Sequence, residues 1–162
     1  GAAADWGRLV RDLTFVSILL VVFAVDLQHY LILDAVTIPG VVFALAANLL
    51  LGARFFALAL GGILGAGFFL VQYLISRGRW IGDGDIRLGL LLGVMLGPGR
   101  LALALLVAYV VGAAVAMVLL FSGKRQLGSR LPLGTFLTVG GFTALLYGDA
   151  IIRWYLGLLG AG

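Results

Sequence analysis

The sequence predicts an all-α protein, a polytopic membrane helix bundle of about six transmembrane helices. Of its 162 residues, 63% are hydrophobic and only 11% are charged, and the mean hydropathy is +1.19. A water-soluble domain of this length needs far more polar surface. The apolar runs are apolar all round, whereas the strands of a membrane barrel would alternate apolar and polar residues. We therefore expect a single membrane-embedded domain over residues 1–162.

Six apolar runs are candidate membrane spans, since about 20 helical residues cross a hydrocarbon core of about 30 Å. Breakers divide them: Pro39-Gly40 opens the second, Gly97-Pro98-Gly99 closes the fourth, and SGKRQLGSRLPLG separates the last two. The C-terminal AIIRWYLGLLG extends the last span or lies in the membrane interface. The predicted spans are 10–26 (or on to 33), 40–51, 55–76, 80–96, 101–121 and 133–147.

The net charge of +4 is spread singly over helix ends, which favours a membrane protein over a nucleic-acid binder. The chain has no cysteine and one histidine, so we predict no disulfide, no thiol catalysis and no metal site. Basic residues cluster in the third and fifth loops, which favours a cytoplasmic position for that end of the bundle. That end carries Arg77, Arg79, Arg87, Lys124, Arg125 and Arg130, and the other end carries Arg8, Arg11, Arg54, Arg100 and Arg153.

Asp85 stands at the mouth of the fourth span, in the stretch RGRWIGDGDIRLGLLLGVMLGPG. Residues 86–96 alone would form a helix of about 16 Å. We therefore expect the helix to begin nearer Trp80, with Asp85 about a turn inside the membrane boundary. A stripe of small residues, which lets helices approach closely, continues its face at steps of four: Gly89, Gly93 and Gly97. A carboxylate on that face points to a neighbouring helix and is a candidate functional group.

Asp26 ends an uninterrupted uncharged run in the first span. A six-span topology puts it at the same membrane face as Asp85, and a continuing helix would add His29 and Tyr30 to its face. Two carboxyl groups close together in a low dielectric share one proton. The ionised one can then accept a proton from water while the neutral one polarises a carbonyl. Asp26 and Asp85 are thus candidates for an aspartyl protease pair.

Two other classes of protein stay open at this point. A small proton-coupled transporter or channel would use buried aspartates as a proton relay, although the chain has no evident inverted repeat and its aspartates lie near one face. A structural membrane-assembly subunit would need neither aspartate. Asp83 is ambiguous because it lacks the glycine stripe, and we assign it no catalytic role. The remaining aspartates are predicted to be caps or interfacial residues, with Asp149 paired to Arg153: Asp5, Asp12, Asp34 and Asp149.

Three segments resemble the type IV prepilin peptidases. GDGDIRLGLLLG resembles their GxGD signature, here Gly82, Asp83, Gly84, Asp85, Ile86 and Arg87. DLQHYLILDAVTIPG resembles the signature that begins with the first catalytic aspartate, here Asp26, His29, Asp34, Thr37 and Pro39. LPLGTFLTVGG is similar to the family's Pro-x-Gly-x-Phe segment, here Pro132, Gly134 and Phe136. Presenilin-like GxGD proteases fit less well, because Val25 and not tyrosine precedes Asp26.

The resemblance covers about residues 10–158 and implies an intramembrane aspartyl endopeptidase in the bacterial cytoplasmic membrane, with its active site toward the cytoplasm. Asp26 and Asp85 would activate a water that cuts the basic leader from a prepilin or pseudopilin, as in type IV pili and type II secretion. No metal or cofactor is implied. The predicted partners are this substrate and lipid headgroups, the latter at Arg87, Lys124, Arg125 and Arg130. The supporting motif residues are Gly82, Gly84, Arg87, His29, Asp34, Pro39, Pro132 and Gly134.

The chain departs from the family pattern at Leu33, where many relatives have proline, and at Gln28, where many have an acidic residue. Neither position is a proposed catalytic group, so altered loop shape is the expected effect. Bifunctional members also carry an amino-terminal region with paired cysteines and zinc, linked to N-methylation of the cleaved pilin. Since this chain has no cysteine, we do not predict methyltransferase activity for these residues. The resemblance is to a peptidase-only member or to the core of a longer enzyme.

Overall fold

The structure, a computed structural model, describes residues 2–122 and 132–159. This part of the chain is all-helical and contains no strand, as predicted. Three helices are long and apolar enough to cross a membrane, namely α3, α4 and α5. The prediction of six transmembrane helices is therefore not confirmed. The described helices are α1 (Ala2–His29), α2 (Asp34–Leu50), α3 (Phe55–Ser76), α4 (Asp83–Phe121) and α5 (Leu133–Leu158).

The first two helices begin earlier than the sequence predicts. Helix α1 begins at Ala2 and carries the polar residues before position 10, and it ends at His29. Helix α2 begins at Asp34 and contains Pro39, which was expected to precede it. Proline removes one backbone donor from the helix. The helix nevertheless begins before Pro39, because the other first-turn hydrogen bonds still form, such as that from the Thr37 N–H to the Leu33 carbonyl at 3.0 Å.

Helix α4 begins at Asp83 and not near Trp80. Arg77 ends α3 in a left-handed conformation, and the loop remains non-helical as far as Gly82, whose extended backbone (φ −83°, ψ 162°) precedes the first turn. Asp85 therefore lies in the first turn of the helix. The expectation that a full turn would precede it is wrong.

Glycines bring α4 into backbone contact with α3. A β-carbon on Gly93 would lie 2.0 Å from the carbonyl oxygen of Gly61, and one on Gly65 would lie 2.0 Å from that of Gly89. No side chain fits such an approach, so the predicted close packing of this stripe is confirmed at Gly89 and Gly93. The order of the pairs shows that this part of α4 runs antiparallel to α3.

The 39 residues of α4 are interrupted at Gly97, which has a left-handed φ of 72° with ψ 174°. Glycine adopts this conformation without steric cost, and Pro98 follows it. We call residues 83–96 and 98–121 the first and second segments of α4. The break falls where the sequence predicts the end of the fourth span. The last member of the predicted stripe thus forms a turn, and it also lies against α3, since a β-carbon on Gly61 would lie 3.1 Å from the Gly97 Cα.

The second segment of α4 runs in the opposite direction to the first. Leu101 lies beside Gly65, and the Tyr109 hydroxyl donates to the Gln72 side chain at 3.1 Å. Residue numbers rise in both helices from the first contact to the second, so the second segment runs parallel to α3. The chain therefore reverses at Gly97, and α4 is a helical hairpin that packs against α2, α3 and α5.

Helix α5 begins after Pro132 and continues to Leu158, so the segment after position 150 extends the helix, one of the two alternatives above. Gly148 leaves room for the Arg100 side chain to lie against α5, since a β-carbon on Gly148 would lie 3.1 Å from the arginine Cγ. Arg100 forms a two-point ion pair with Asp149, with Nε 2.8 Å from Oδ1. The prediction that Asp149 pairs with Arg153 was wrong. It considered only the neighbour four residues along the same helix, and the actual partner comes from another helix.

The core lies around the first segment of α4, where Leu88, Leu91 and Leu92 are fully buried. The outer surface also carries many large apolar side chains, such as Phe56 and Phe121. A soluble protein seldom exposes so much contiguous apolar surface. The arrangement therefore fits a bundle whose outer faces contact lipid.

Candidate functional site

The candidate site lies at one end of the bundle, where α1 ends and where α2, α4 and α5 begin. Three contacts between distant parts of the chain define it. Asp26 reaches α5, Arg87 of α4 reaches Asp34 of α2, and Ile32 of the α1–α2 loop touches both α4 and α5. All three motifs singled out in the sequence meet here.

Asp26 lies in the last turn of α1 and is 4% exposed. Its Oδ2 accepts two hydrogen bonds from Thr135, one from the backbone N–H at 2.5 Å and one from the hydroxyl at 3.0 Å. Gly134 makes this approach possible, since a β-carbon there would lie 2.9 Å from Asp26 Cγ and Oδ2. The carboxylate of α1 thus caps one of the free N–H groups at the start of α5, that of Thr135.

Asp85 is the third residue of α4 and is 7% exposed. Its Oδ2 accepts a hydrogen bond from the Gly82 N–H at 2.9 Å, so the side chain closes the first turn of its own helix. The carboxyl groups of Asp26 and Asp83 both lie within electrostatic range of it. Asp85 is therefore at once a helix cap and a buried acid near a second buried acid.

Ile32 lies between the start of α4, which carries Asp85, and the start of α5, which contacts Asp26. A β-carbon on Gly84 would lie 2.9 Å from Ile32 Cβ, and one on Gly134 would lie 3.1 Å from its Cδ1. The Ile32 side chain therefore touches Gly84, which precedes Asp85, and Gly134, which contacts Asp26. The structure brings the two predicted site residues into one cluster.

Arg87 links two motifs at the rim of this cluster. Its guanidinium pairs with Asp34, the first residue of α2, and with Asp83 at 3.3 Å. The side chains of Arg87 and Asp34 are 41% and 48% exposed. The charge of Arg87 is thus paired within the protein. The prediction that Arg87 binds lipid headgroups did not include these two ion pairs. Lys124, Arg125 and Arg130, also predicted to meet lipid, lie outside the described residues.

Other motif residues take structural places. The His29 and Tyr30 side chains are exposed, so the structure does not place His29 in the buried cluster with Asp26. Pro39 lies inside α2 on an exposed face, and Pro132 is the residue before α5. Within residues 2–122 and 132–159, no three His, Asp or Glu side chains lie close enough together to hold a metal ion.

Thr135 is the site residue that sequence reasoning missed. It occupies a variable position of the Pro-x-Gly-x-Phe segment, so no motif singled it out. One signal was available, since threonine at the start of a helix commonly bonds backbone or capping groups. Ile32 gave no signal at all, because an aliphatic residue in a loop of an apolar chain has no distinguishing chemistry.

The fold is that of a helical membrane protein with two buried acids near one end of the bundle, and the comparisons with known proteins give its family. Residues 13–117 match the type IV leader peptidase family. The chain belongs to this family, which is a family of proteases. No solved structure matches it significantly.

Curated relatives agree with this assignment. The chain is 31% identical over 161 residues to the prepilin leader peptidase/N-methyltransferase of Aeromonas hydrophila, covering 95% of the chain and 54% of the relative. It is 32% identical to the protein of that name from Pseudomonas aeruginosa, covering 96% of the chain and 51% of the relative. The Bacillus subtilis relative of the same name is 31% identical, with 92% and 60% covered. The chain thus spans about half the length of the curated relatives it matches.

Proposed function

We propose that this chain is the peptidase domain, over residues 1–162, of an intramembrane aspartyl endopeptidase that cleaves the basic leader from prepilin or pseudopilin substrates. Asp26 and Asp85 are its catalytic residues. The observation that carries this proposal is their common burial at one end of the bundle, 4% and 7% exposed, where Ile32 contacts the helix starts beside both acids. Isolated acids at membrane depth are costly, and a functional pair accounts for that cost.

The two carboxyl groups carry out hydrolysis with one proton between them. The ionised carboxylate takes a proton from water as the water oxygen bonds to the scissile carbonyl carbon. The protonated carboxyl gives its proton to the carbonyl oxygen, where negative charge develops. On collapse, the C–N bond breaks, the amine receives the proton taken from water, and the diol returns a proton to the second carboxylate. The pair ends in its starting state.

The membrane-facing parts suit a substrate with an apolar helix. The outer surfaces of the bundle are apolar, and the two acids lie within the last turn of α1 and the first turn of α4. A bond at the border of the hydrocarbon would therefore meet the acids without entering the bilayer centre. We place this end of the bundle at the cytoplasmic face of the bacterial inner membrane, because the basic loop residues favour it.

A cleavage assay tests the proposal. The substrate is a peptide with a basic leader ending in Gly, followed by an apolar helix, incubated with the 162-residue chain in liposomes. Wild type should cut at one bond, and Asp26→Asn and Asp85→Asn should each lose cleavage while retaining wild-type helical content and elution volume. The matched control is Asp83→Asn, since that side chain is 70% exposed and pairs with Arg87; it should retain at least partial activity.

The opposite results are equally clear. Cleavage by either Asn variant at the wild-type rate would remove that aspartate from the mechanism. A folded wild type that cuts nothing but carries protons across the liposome would support the transporter instead.

A further inference from the structure

The two acids differ in what holds them. Asp26 accepts two hydrogen bonds on one oxygen from Thr135, a residue of another helix. Asp85 accepts a bond from Gly82, three residues earlier in its own chain. The orientation of Asp26 therefore depends on α5, whereas that of Asp85 is set locally.

The start of α5 is built to receive a negative charge. Its N-cap residue, Pro132, makes no side-chain cap bond, so the first N–H groups lack the usual partner. The Asp26 carboxylate fills that role at the positive end of the helix dipole. Hydrogen bonds from donors to a carboxylate favour its ionised form.

Thr135 is itself fixed. It is 6% exposed, and its carbonyl accepts a hydrogen bond from the Thr138 hydroxyl at 2.7 Å. Its own hydroxyl is aimed at Asp26 Oδ2. Around Asp26, α4 contributes the titratable Asp85, α5 contributes the uncharged Thr135, and the loop contributes the apolar Ile32.

We propose that Thr135 is a positioning residue that orients Asp26 and favours its ionised form over that of Asp85, so that Asp26 is the base that takes the proton from water and Asp85 is the acid. The inference rests on the proposed function, which left the two roles unassigned. Thr135 acts through Asp26 and does not touch the substrate.

The test compares Thr135→Val with Thr135→Ser in the cleavage assay. Valine keeps the shape and the backbone N–H but removes the hydroxyl bond to a charged group, so kcat/KM should fall about ten- to hundredfold. The acid limb of the pH–activity profile should move to higher pH, because Asp26 then loses a bond that favours its ionised form. Serine restores the hydroxyl and should restore both the rate and the profile.

The control is Thr143→Val, on the same helix, where the lost hydroxyl bond goes to the Val139 carbonyl. It should leave the rate and the profile unchanged. If Thr135→Val does not fold, Thr135→Ala replaces it with the same expectations. A wild-type rate, or a lower rate with an unmoved acid limb, overturns the inference. The proposed function fails separately, through an inactive wild type or an active Asp26→Asn.

Discussion

The side-chain amide of Asn48 in α2 lies 2.9 Å from the carbonyl oxygen of Val94 in α4 and donates a hydrogen bond to it. In an unbroken helix that carbonyl would accept from the N–H of residue 98, which is proline and has none. The same amide also donates to the Met95 carbonyl at 3.3 Å, and Arg11 donates to the Asn48 side-chain oxygen at 3.2 Å. Asn48 therefore caps the end of the first segment of α4.

Asn48→Leu should lower the free energy of unfolding by about 1–3 kcal/mol, because it leaves two buried carbonyls without this donor. Asn48 is 4% exposed, so water cannot readily take its place. Unfolding by titration with SDS in detergent measures the change. The control is Gln72→Leu, which removes two exposed hydrogen bonds, one from the Tyr109 hydroxyl and one to the Phe68 carbonyl, and should cost less. Equal stability of Asn48→Leu and wild type would contradict the capping role.

Gly134→Ala should lower cleavage about a hundredfold, the loss that a displacement of about 1 Å can cause. The added β-carbon would lie 2.9 Å from Asp26 Cγ, so the carboxylate must shift. Gly157→Ala is the control in the same helix, since a β-carbon there meets nothing within 4 Å. Initial rates with the peptide substrate give the comparison. An active Gly134→Ala would show that Asp26 tolerates displacement.

Gly65→Ala should destabilise the bundle by about 1–3 kcal/mol, the usual cost of overpacking. The new β-carbon would lie 2.0 Å from the Gly89 carbonyl oxygen, which is backbone and cannot rotate away. Gly67→Ala, two residues along α3 with nothing within 4 Å, should be neutral or slightly stabilising. Thermal unfolding of the two variants side by side measures the difference. If Gly65→Ala were the more stable of the two, the close approach of α3 and α4 would be wrong.

The ion pair between Arg87 and Asp34 should add little stability, although it joins two motifs. Both side chains are more than a third exposed, and exposed pairs contribute less than about 1 kcal/mol. A double-mutant cycle of Arg87→Ala and Asp34→Ala, followed by SDS unfolding, gives the coupling. A coupling energy well above that figure would mean that the pair is shielded from solvent.

Much of the site could be predicted because its chemistry is local. Asp26 and Asp85 stood out as charges in apolar runs, and the glycine steps at positions 89 and 93 correctly indicated close packing. Gly97 continued the same spacing and also lies against Gly61 of α3, but its left-handed conformation makes it a turn as well. Periodicity indicated the packing and could not indicate the turn, because both favour glycine.

Contacts between distant segments were beyond such reasoning. Asp149 has an arginine at i+4, yet it pairs with Arg100 from α4, since packing decides which cation is near. Thr135 and Ile32 contact the site because the end of α1 lies beside the starts of α4 and α5. Helix α4 begins at Asp83 and not near Trp80 because of the loop conformation that starts at Arg77. The type of residue at position 77 does not indicate this conformation.

The hairpin of α4 follows in the chain the two helices that hold it. Its first segment is roughly 21 Å long at about 1.5 Å per residue, shorter than the hydrocarbon core of about 30 Å, and it ends in carbonyls that lipid cannot satisfy. The amide that satisfies them belongs to α2, and the glycine surface that receives the segment belongs to α3; both leave the ribosome earlier. Each contact that the turn requires is thus already synthesised when the turn emerges.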